Sequence, residues 1–334
     1  MKHFYLSHLT TILGLTLAFW WGKWDGVFIA GLLMIMEVSL SFDNAVVNAT
    51  VLKTMDKKWQ QRFLTWGMVI AVFGMRLLFP VLVVSFATGL HVWDVTQLAL
   101  KNPEEYSHHV LASNVQISSF GGMFLLMVFL HFICDETKEL HWIGFIERKL
   151  AAAGRLESLE VMIALCVLLG LMFFLPAEAQ LHALISGVIG VVLYVMIHSV
   201  MTLVSGDSHG ANGAMATSGF VGFMYLQVLD ASFSLDGVVG AFAISKDVVI
   251  IMIGLGIGAM FVRSLTVYLV RKGTLDDFVF LEHGAHWGIG ILALIMLAST
   301  MTHVPEAITG LVGVLFIGLS LWSSVRYKRK AARK

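Results

Sequence analysis

Apolar segments of about 20 residues recur along this chain, and they constrain its fold more than any other feature. Each is long enough to cross ~30 Å of hydrocarbon as a helix. The 334 residues are 58% hydrophobic and 13% charged, whereas globular domains carry about 25% charged residues. Because lipid offers no partners to backbone amides, the segments must form helices. The sequence therefore predicts an all-α polytopic membrane protein.

Ten membrane spans are predicted. They cover residues 6–24, 26–52, 63–90, 115–133, 159–176, 180–204, 219–245, 248–270, 286–303 and 306–323. The first span follows Lys2, as a signal peptide would, but no A-x-A-like cleavage site follows it. Tryptophans at its end are typical of an interfacial anchor. We expect it to be a retained helix.

Basic residues give the orientation. With the amino terminus in the cytoplasm, 17 Lys and Arg fall in cytoplasmic segments and three fall outside. This bias predicts that both termini are cytoplasmic and that the protein lies in the cytoplasmic membrane. The net charge of zero offers no surface for nucleic acid. The two cysteines do not indicate a disulfide framework.

Two segments share one pattern: an acid, five residues, a second acid, and a buried arginine one span later. The residues are Glu37, Asp43 with Asn44, and Arg76 in the first copy, and Asp230, Asp236 and Arg263 in the second. The first copy begins in the second predicted span and the other in the seventh. Because this offset is odd, the copies enter the membrane from opposite sides. Such an inverted-topology repeat is common among secondary transporters.

The repeat divides the chain into five parts, with a three-helix unit in each half. These are an N-terminal flanking helix (1–25), a first half (26–133), a connecting region with two spans (134–218), a second half (219–303), and a C-terminal helix with a basic tail (304–334). We expect a site near the bilayer midplane, between the halves.

Ionised side chains inside a membrane cost at least ~2.5–3.5 kcal/mol each, so their presence indicates a role. The arginines could serve only to pair with acids and hold helices together. Four acids against two arginines, however, leave a formal charge of −2. A divalent cation would balance this charge, and so would protonation of two acids.

The spacing of the first motif adds detail. Glu37 and Asp43 are six residues apart, which places them about 120° apart on a regular helix. Either the helix is interrupted around Ser39–Asp43, or the two acids serve different partners. Glu37, Asn44 and Asn48 do share one helical stripe. Serines in both motifs can bond backbone groups freed by an interruption.

Carboxylate, amide and carbonyl oxygens are hard ligands that suit Mg²⁺, Ca²⁺ or Mn²⁺. No cysteine or histidine lies near either motif, which disfavours ions that prefer soft ligands. The candidate metal ligands are Glu37, Asp43, Asn44, Asp230 and Asp236, supported by Asn48, Arg76 and Arg263.

These motifs resemble the TerC family of integral membrane proteins, which lies close to the LysE transporter superfamily. The resemblance covers roughly residues 26–303. It implies efflux of Mn²⁺, with tellurite resistance as an older association, and it implies that the five candidate ligands form the ion site. The chain differs in having Gly237 where a serine is expected and in its longer segments near 91–114 and 134–158.

Two other functions use intramembrane acids. A cation channel, or a transporter of another ion such as Ca²⁺ with H⁺ coupling, could use rings or clusters of acids. An intramembrane aspartyl protease uses two acids, but it needs neither a duplicated acid pair nor two arginines, and its Gly-x-Gly-Asp type of motif is absent. We therefore predict a transporter and not an enzyme, without a resident cofactor, whose partners are a divalent cation and membrane lipid.

Overall fold

The computed structural model describes residues 4–138, 140–154, 158–205, 219–302 and 304–331, and this part of the chain is almost entirely helical. The helices are α1 Tyr5–Leu40, α2 Phe42–Thr54, α3 Lys57–Val69, α4 Phe79–Thr88, α5 Val92–Lys101, α6 Pro103–Ala112, α7 Asn114–Cys134, α8 Gly144–Ala153, α9 Leu159–Met172, α10 Ala177–Ser205, α11 Gly219–Ile244, α12 Val248–Lys272, α13 Thr274–Asp277, α14 Leu281–Ser299 and α15 Glu306–Ala331. A π-helical segment, Ile70–Leu78, joins α3 to α4.

Five of these helices are long and apolar enough to cross a membrane. They are α7, α10, α12 and α14, together with the Ile308–Lys330 part of α15. Two bent pairs, α1 with α2 and α3 with the segment that follows it, raise the number to seven if each pair is one span. The chain is thus a multi-pass membrane protein. Each of the ten predicted spans overlies a helix, while the count of ten itself stays a prediction.

Helix α1 turns back on itself at Lys23, whose φ of 54° and ψ of −144° are not helical. Ser7 Oγ donates a hydrogen bond to the Met260 carbonyl at 3.0 Å. A Cβ built on Gly258, two residues away, would lie 2.6 Å from Glu37 Cβ. In a straight helix, the 30 residues between Ser7 and Glu37 would span ~45 Å. The two arms of α1 therefore run along α12 in opposite directions, and the reversal coincides with the predicted boundary between the first two spans.

Of the two alternatives for the first motif, the structure shows an interrupted helix, with the break at Ser41. Helix α1 ends at Leu40, α2 begins at Phe42, and the two axes differ by 53°. The second motif differs, because α11 runs without a break from Gly219 to Ile244. There Ser232 Oγ donates to the Val228 carbonyl of its own helix at 3.0 Å. One motif lies at a bend and the other lies within a regular helix.

The core has two main parts. Helix α7 lies in the larger one and packs between α10 and α14, so that most of its side chains are buried. A smaller cluster joins α5 and α6 to α11 and α12 through Tyr106, Val110 and Phe242. The segment near 91–114 thus forms two short helices that cover one end of the motif helices. Helices α11 and α12 both contact α2, beside the bend at Ser41.

Candidate functional site

A small buried cavity of about 20 Å³ lies where the bend at Ser41 meets the π-helical segment, α11 and α12. Its lining residues are Glu37, Ser41, Asn44, Asn48, Ala71, Arg76, Asp230, Ser234, Ala259, Val262 and Arg263. This volume holds about one water molecule, which is also the scale of one dehydrated ion. Residues of both motif copies and both arginines therefore line one small polar space.

The first ion pair in the cavity joins Glu37 to Arg76. Arg76 Nη2 bonds Glu37 Oε1, and Arg76 Nη1 donates to the Ala71 carbonyl at 2.7 Å. Ser41 Oγ donates to the same carboxylate oxygen at 3.1 Å. Arg76 stands on the π-helical segment, where backbone bonds join residues five apart. The bend and the π-helical segment together bring this acid and this base into contact.

The second ion pair joins Asp230 of α11 to Arg263 of α12, with 2.9 Å between Oδ2 and Nη2. Asn48 Nδ2 and Asn44 Nδ2 both donate to Asp230 Oδ1, at 2.6 and 3.2 Å. Arg263 also donates to the Phe63 carbonyl and lies 4.2 Å above the Phe63 ring. Two amides of the first motif therefore hold the first acid of the second motif.

Several polar atoms around the cavity have no hydrogen-bond partner among the described residues. They are the amide oxygens of Asn44 and Asn48, the Ser234 hydroxyl and Nε of Arg76. Buried polar groups are normally satisfied, so such atoms call for an explanation. Three of the four are oxygens that can accept a water or ligate a hard cation. The amides thus present one face to Asp230 and leave their oxygens free.

Asp43 does not join this group. Asp43 Oδ1 accepts the Asn44 amide at 2.9 Å, and Oδ2 lies 3.2 and 3.5 Å from where Cβ atoms of Gly288 and Gly313 would be. The Asp43 carboxylate therefore faces α14 and α15 and does not line the cavity. Asp43 and Asn44 are adjacent in α2, and adjacent side chains point about 100° apart around a helix, so the two face different neighbours. The Asp236 side chain lies outside the described residues.

The charges that line the cavity balance, since two carboxylates meet two guanidinium groups. Asp43, which the sequence predicted for this site, lies outside the lining of the cavity. Among the residues that the structure describes, no three His, Cys, Asp or Glu side chains are grouped so as to hold a metal ion. A cation that entered the cavity would have to compete with an arginine for a carboxylate.

Sequence reasoning missed Gln227, which is buried on α11. Both polar atoms of its amide lack a hydrogen-bond partner in the described part of the chain. A Cβ on Gly67 would lie 2.9 Å from Gln227 Nε2 and 2.8 Å from Arg263 Nη1. The sequence did contain a signal for Gln227, because this residue precedes Asp230 by three positions and so shares its helical face.

The close approach of Gly258 to Glu37 predicts that no side chain larger than that of glycine fits at position 258 without strain. In Gly258→Ala the new Cβ would lie 2.6 Å from Cβ and Cγ of Glu37 and 3.1 Å from the Met34 carbonyl. Overpacking of this kind costs ~1–3 kcal/mol, so we expect a lower thermal unfolding midpoint of the purified protein. The control is Gly256→Ala, whose Cβ meets only Val72 Cγ1, at 3.4 Å. Equal midpoints for the two variants would contradict the contact.

Comparison with known proteins gives one match. No curated protein and no solved structure matches the chain. One family model, described as "Protein of unknown function (DUF475)", matches residues 42–331. The match begins at the first residue of α2 and so contains Asp43, Asp230 and both arginines, whereas Glu37 precedes it. Since it covers most of the sequence, the chain belongs to the DUF475 family of proteins of unknown function.

Proposed function

We propose that this protein is a transporter that carries a divalent cation across the cytoplasmic membrane, with Mn²⁺ as the expected cargo. One observation carries the proposal: two acid–arginine pairs, one from each motif copy, meet unpartnered amide and hydroxyl oxygens at one buried cavity. Charged groups within membrane segments usually mark ion or substrate pathways. The oxygens available there suit Mg²⁺, Ca²⁺ or Mn²⁺.

The choice of Mn²⁺ and the outward direction depend on the resemblance to TerC proteins. The inverted repeat and the cytoplasmic location of both termini belong to the same proposal. Their support is that each motif pairs its first acid with the arginine one span later, Glu37 with Arg76 and Asp230 with Arg263. A repeated pairing is expected of duplicated halves that face each other across one site.

The arrangement suggests how binding and release alternate. In the described geometry a guanidinium neutralises each cavity carboxylate, so the buried site carries no net charge. A cation that takes Asp230 must displace Arg263, which keeps its contacts to Phe63. After release the arginine returns to the carboxylate. The empty carrier therefore avoids an unpaired charge in the membrane, which would be costly.

The aspartyl protease alternative receives no support from this geometry. A protease dyad needs two carboxyl groups close enough to share one proton. Here Glu37 and Asp230 each bond a different arginine. The two carboxylates therefore belong to separate ion pairs and do not form a dyad.

The test is manganese flux into liposomes that contain the purified full-length protein. We expect uptake that saturates with Mn²⁺ concentration, and we expect Asp230→Asn to reduce it to the background of empty liposomes. The control is Glu178→Gln, which neutralises an exposed acid at the start of α10. It should transport at the wild-type rate.

Each variant must be reconstituted in equal amount as a monodisperse species. Equal flux for Asp230→Asn and wild type would exclude the cavity as the pathway. No flux of Mn²⁺, Ca²⁺ or Mg²⁺ by the wild type, with either orientation of a proton gradient, would overturn divalent cation transport.

A further inference from the structure

A second pocket, unconnected with the cavity residues, lies at the C-terminal end of α15. Its volume is about 580 Å³. Aromatic and basic side chains line it: Trp142, Phe280, Trp322, Ser323, Arg326, Tyr327, Arg329 and Lys330. No acidic residue is among them. The pocket therefore combines an apolar wall with three positive charges.

The basic residues lie on one face of α15. Trp322, Arg326, Arg329 and Lys330 follow the four- and three-residue spacing that aligns side chains along a helix. The Arg326 guanidinium lies 3.6 Å above the Trp322 ring. Lys328 is different, because its Nζ bonds Asp277 Oδ1 at 3.1 Å and it does not line the pocket. Three basic side chains of α15 therefore face the pocket, and a fourth, Lys328, is paired with an acid outside it.

The aromatic wall is held in place by contacts from other parts of the chain. The Phe280 amide donates to Ser324 Oγ at 3.0 Å, and the Phe280 ring meets the Tyr327 ring edge-on at 5.5 Å. The Trp142 amide donates to the fully buried Glu147 at 3.0 Å. The pocket is consequently built by three segments and is not a property of the tail alone.

The position of the pocket along α15 places it at the level of the lipid headgroups. Residues Ile308–Lys330 form a candidate membrane span, and the pocket occupies the last turns of that span, where the sequence changes from apolar to basic. Tryptophan and tyrosine concentrate at the level of lipid headgroups. Basic clusters directly beside a span attract anionic lipid.

From this geometry we infer that the pocket binds one anionic phospholipid. The lipid phosphate would lie among Arg326, Arg329 and Lys330, and the first part of an acyl chain would lie against Trp322 and Trp142. Guanidinium groups suit phosphate because they donate paired hydrogen bonds. The inference is independent of the transported ion.

The experiment measures lipid retention by native mass spectrometry of the full-length protein in detergent. The probes are phosphatidylglycerol and phosphatidylcholine of identical acyl chains, with inorganic phosphate as a competitor. We expect phosphatidylglycerol to bind more tightly. Each neutralised pocket charge should weaken it roughly fivefold, so the Arg326→Gln, Arg329→Gln, Lys330→Gln triple variant should lose about a hundredfold.

The matched control is Lys328→Gln, which removes one positive charge from the same turn but outside the pocket. It should bind phosphatidylglycerol as the wild type does, whereas Arg326→Gln should not. Should the triple variant fail to fold, these two single variants decide the question. Equal losses for both, or no preference for the anionic lipid, would overturn the site. Displacement of the lipid by an equal concentration of inorganic phosphate would identify a free-phosphate site instead.

Discussion

Arg76→Ala should sharply reduce the amount of folded protein in the membrane. The substitution leaves Glu37, which is 2% exposed, without its counter-charge in the cavity. Loss of one partner of a buried ion pair costs ~3–5 kcal/mol, because the other charge stays buried and unpaired. The measurement is the yield of monodisperse protein after extraction, together with its thermal unfolding midpoint.

Two comparisons make this prediction specific. Adding Glu37→Gln to Arg76→Met removes both charges, so yield should recover although transport should not. The exposed pair Lys246–Glu104, 3.0 Å apart with side chains 61% and 76% exposed, provides a control. Lys246→Ala should change stability by less than ~1 kcal/mol. A similar loss for Lys246→Ala, or no recovery in the double variant, would contradict a buried-charge origin.

Asp43→Asn should abolish transport and leave folding intact. Asparagine keeps the shape of the side chain, and its Oδ1 can still accept the Asn44 amide. Asp43 forms no ion pair with a described residue, so no basic group loses its partner. The substitution removes the negative charge of Asp43, which belongs to neither of the two ion pairs in the cavity. We expect that charge to attract the cation. The measurement is cellular manganese and survival under manganese load, at equal expression.

The matched control is Asp94→Asn, since Asp94 also lies in the first turn of a helix but is exposed. It should behave as the wild type. Asp236→Asn, in the second motif, should behave as Asp43→Asn does. Unchanged manganese in Asp43→Asn and Asp236→Asn would remove the manganese assignment.

Much of the fold follows from apolar length and from the spacing of two acids. Hydropathy located the helices that are long and apolar enough to cross a membrane, because the exclusion of water forces such segments to be helical. It did not locate the short helices α5, α6, α8 and α13. The spacing of Glu37 and Asp43 left two alternatives, an interrupted helix or different partners for the two acids. Both occur, because α1 ends before Ser41 and because Asp43 faces α14 and α15 while Glu37 lines the cavity. The pairing of each arginine with an acid was predictable because unpaired charges are costly in a membrane.

Other features of the site depend on tertiary contacts. The serines of the second motif resemble those of the first, yet Ser232 bonds within an intact helix. The side to which Asp43 turns depends on glycines of α14 and α15, which are distant in sequence. The π-helical segment has no periodic signature in the sequence. Local patterns thus predicted which residues are polar and buried, but not which neighbours they face.

That π-helical segment sets the register of Arg76 against Glu37. A π-helical turn holds one residue more than an α-helical turn. A change of Ile70–Leu78 to the α form would therefore slip the chain beyond it by one residue, which is ~1.5 Å along the axis and ~100° around it. Arg76 would then swing off Glu37 while α3 stayed in place. A screw motion of one helix could thus uncouple an ion pair inside the membrane without any displacement of the surrounding helices.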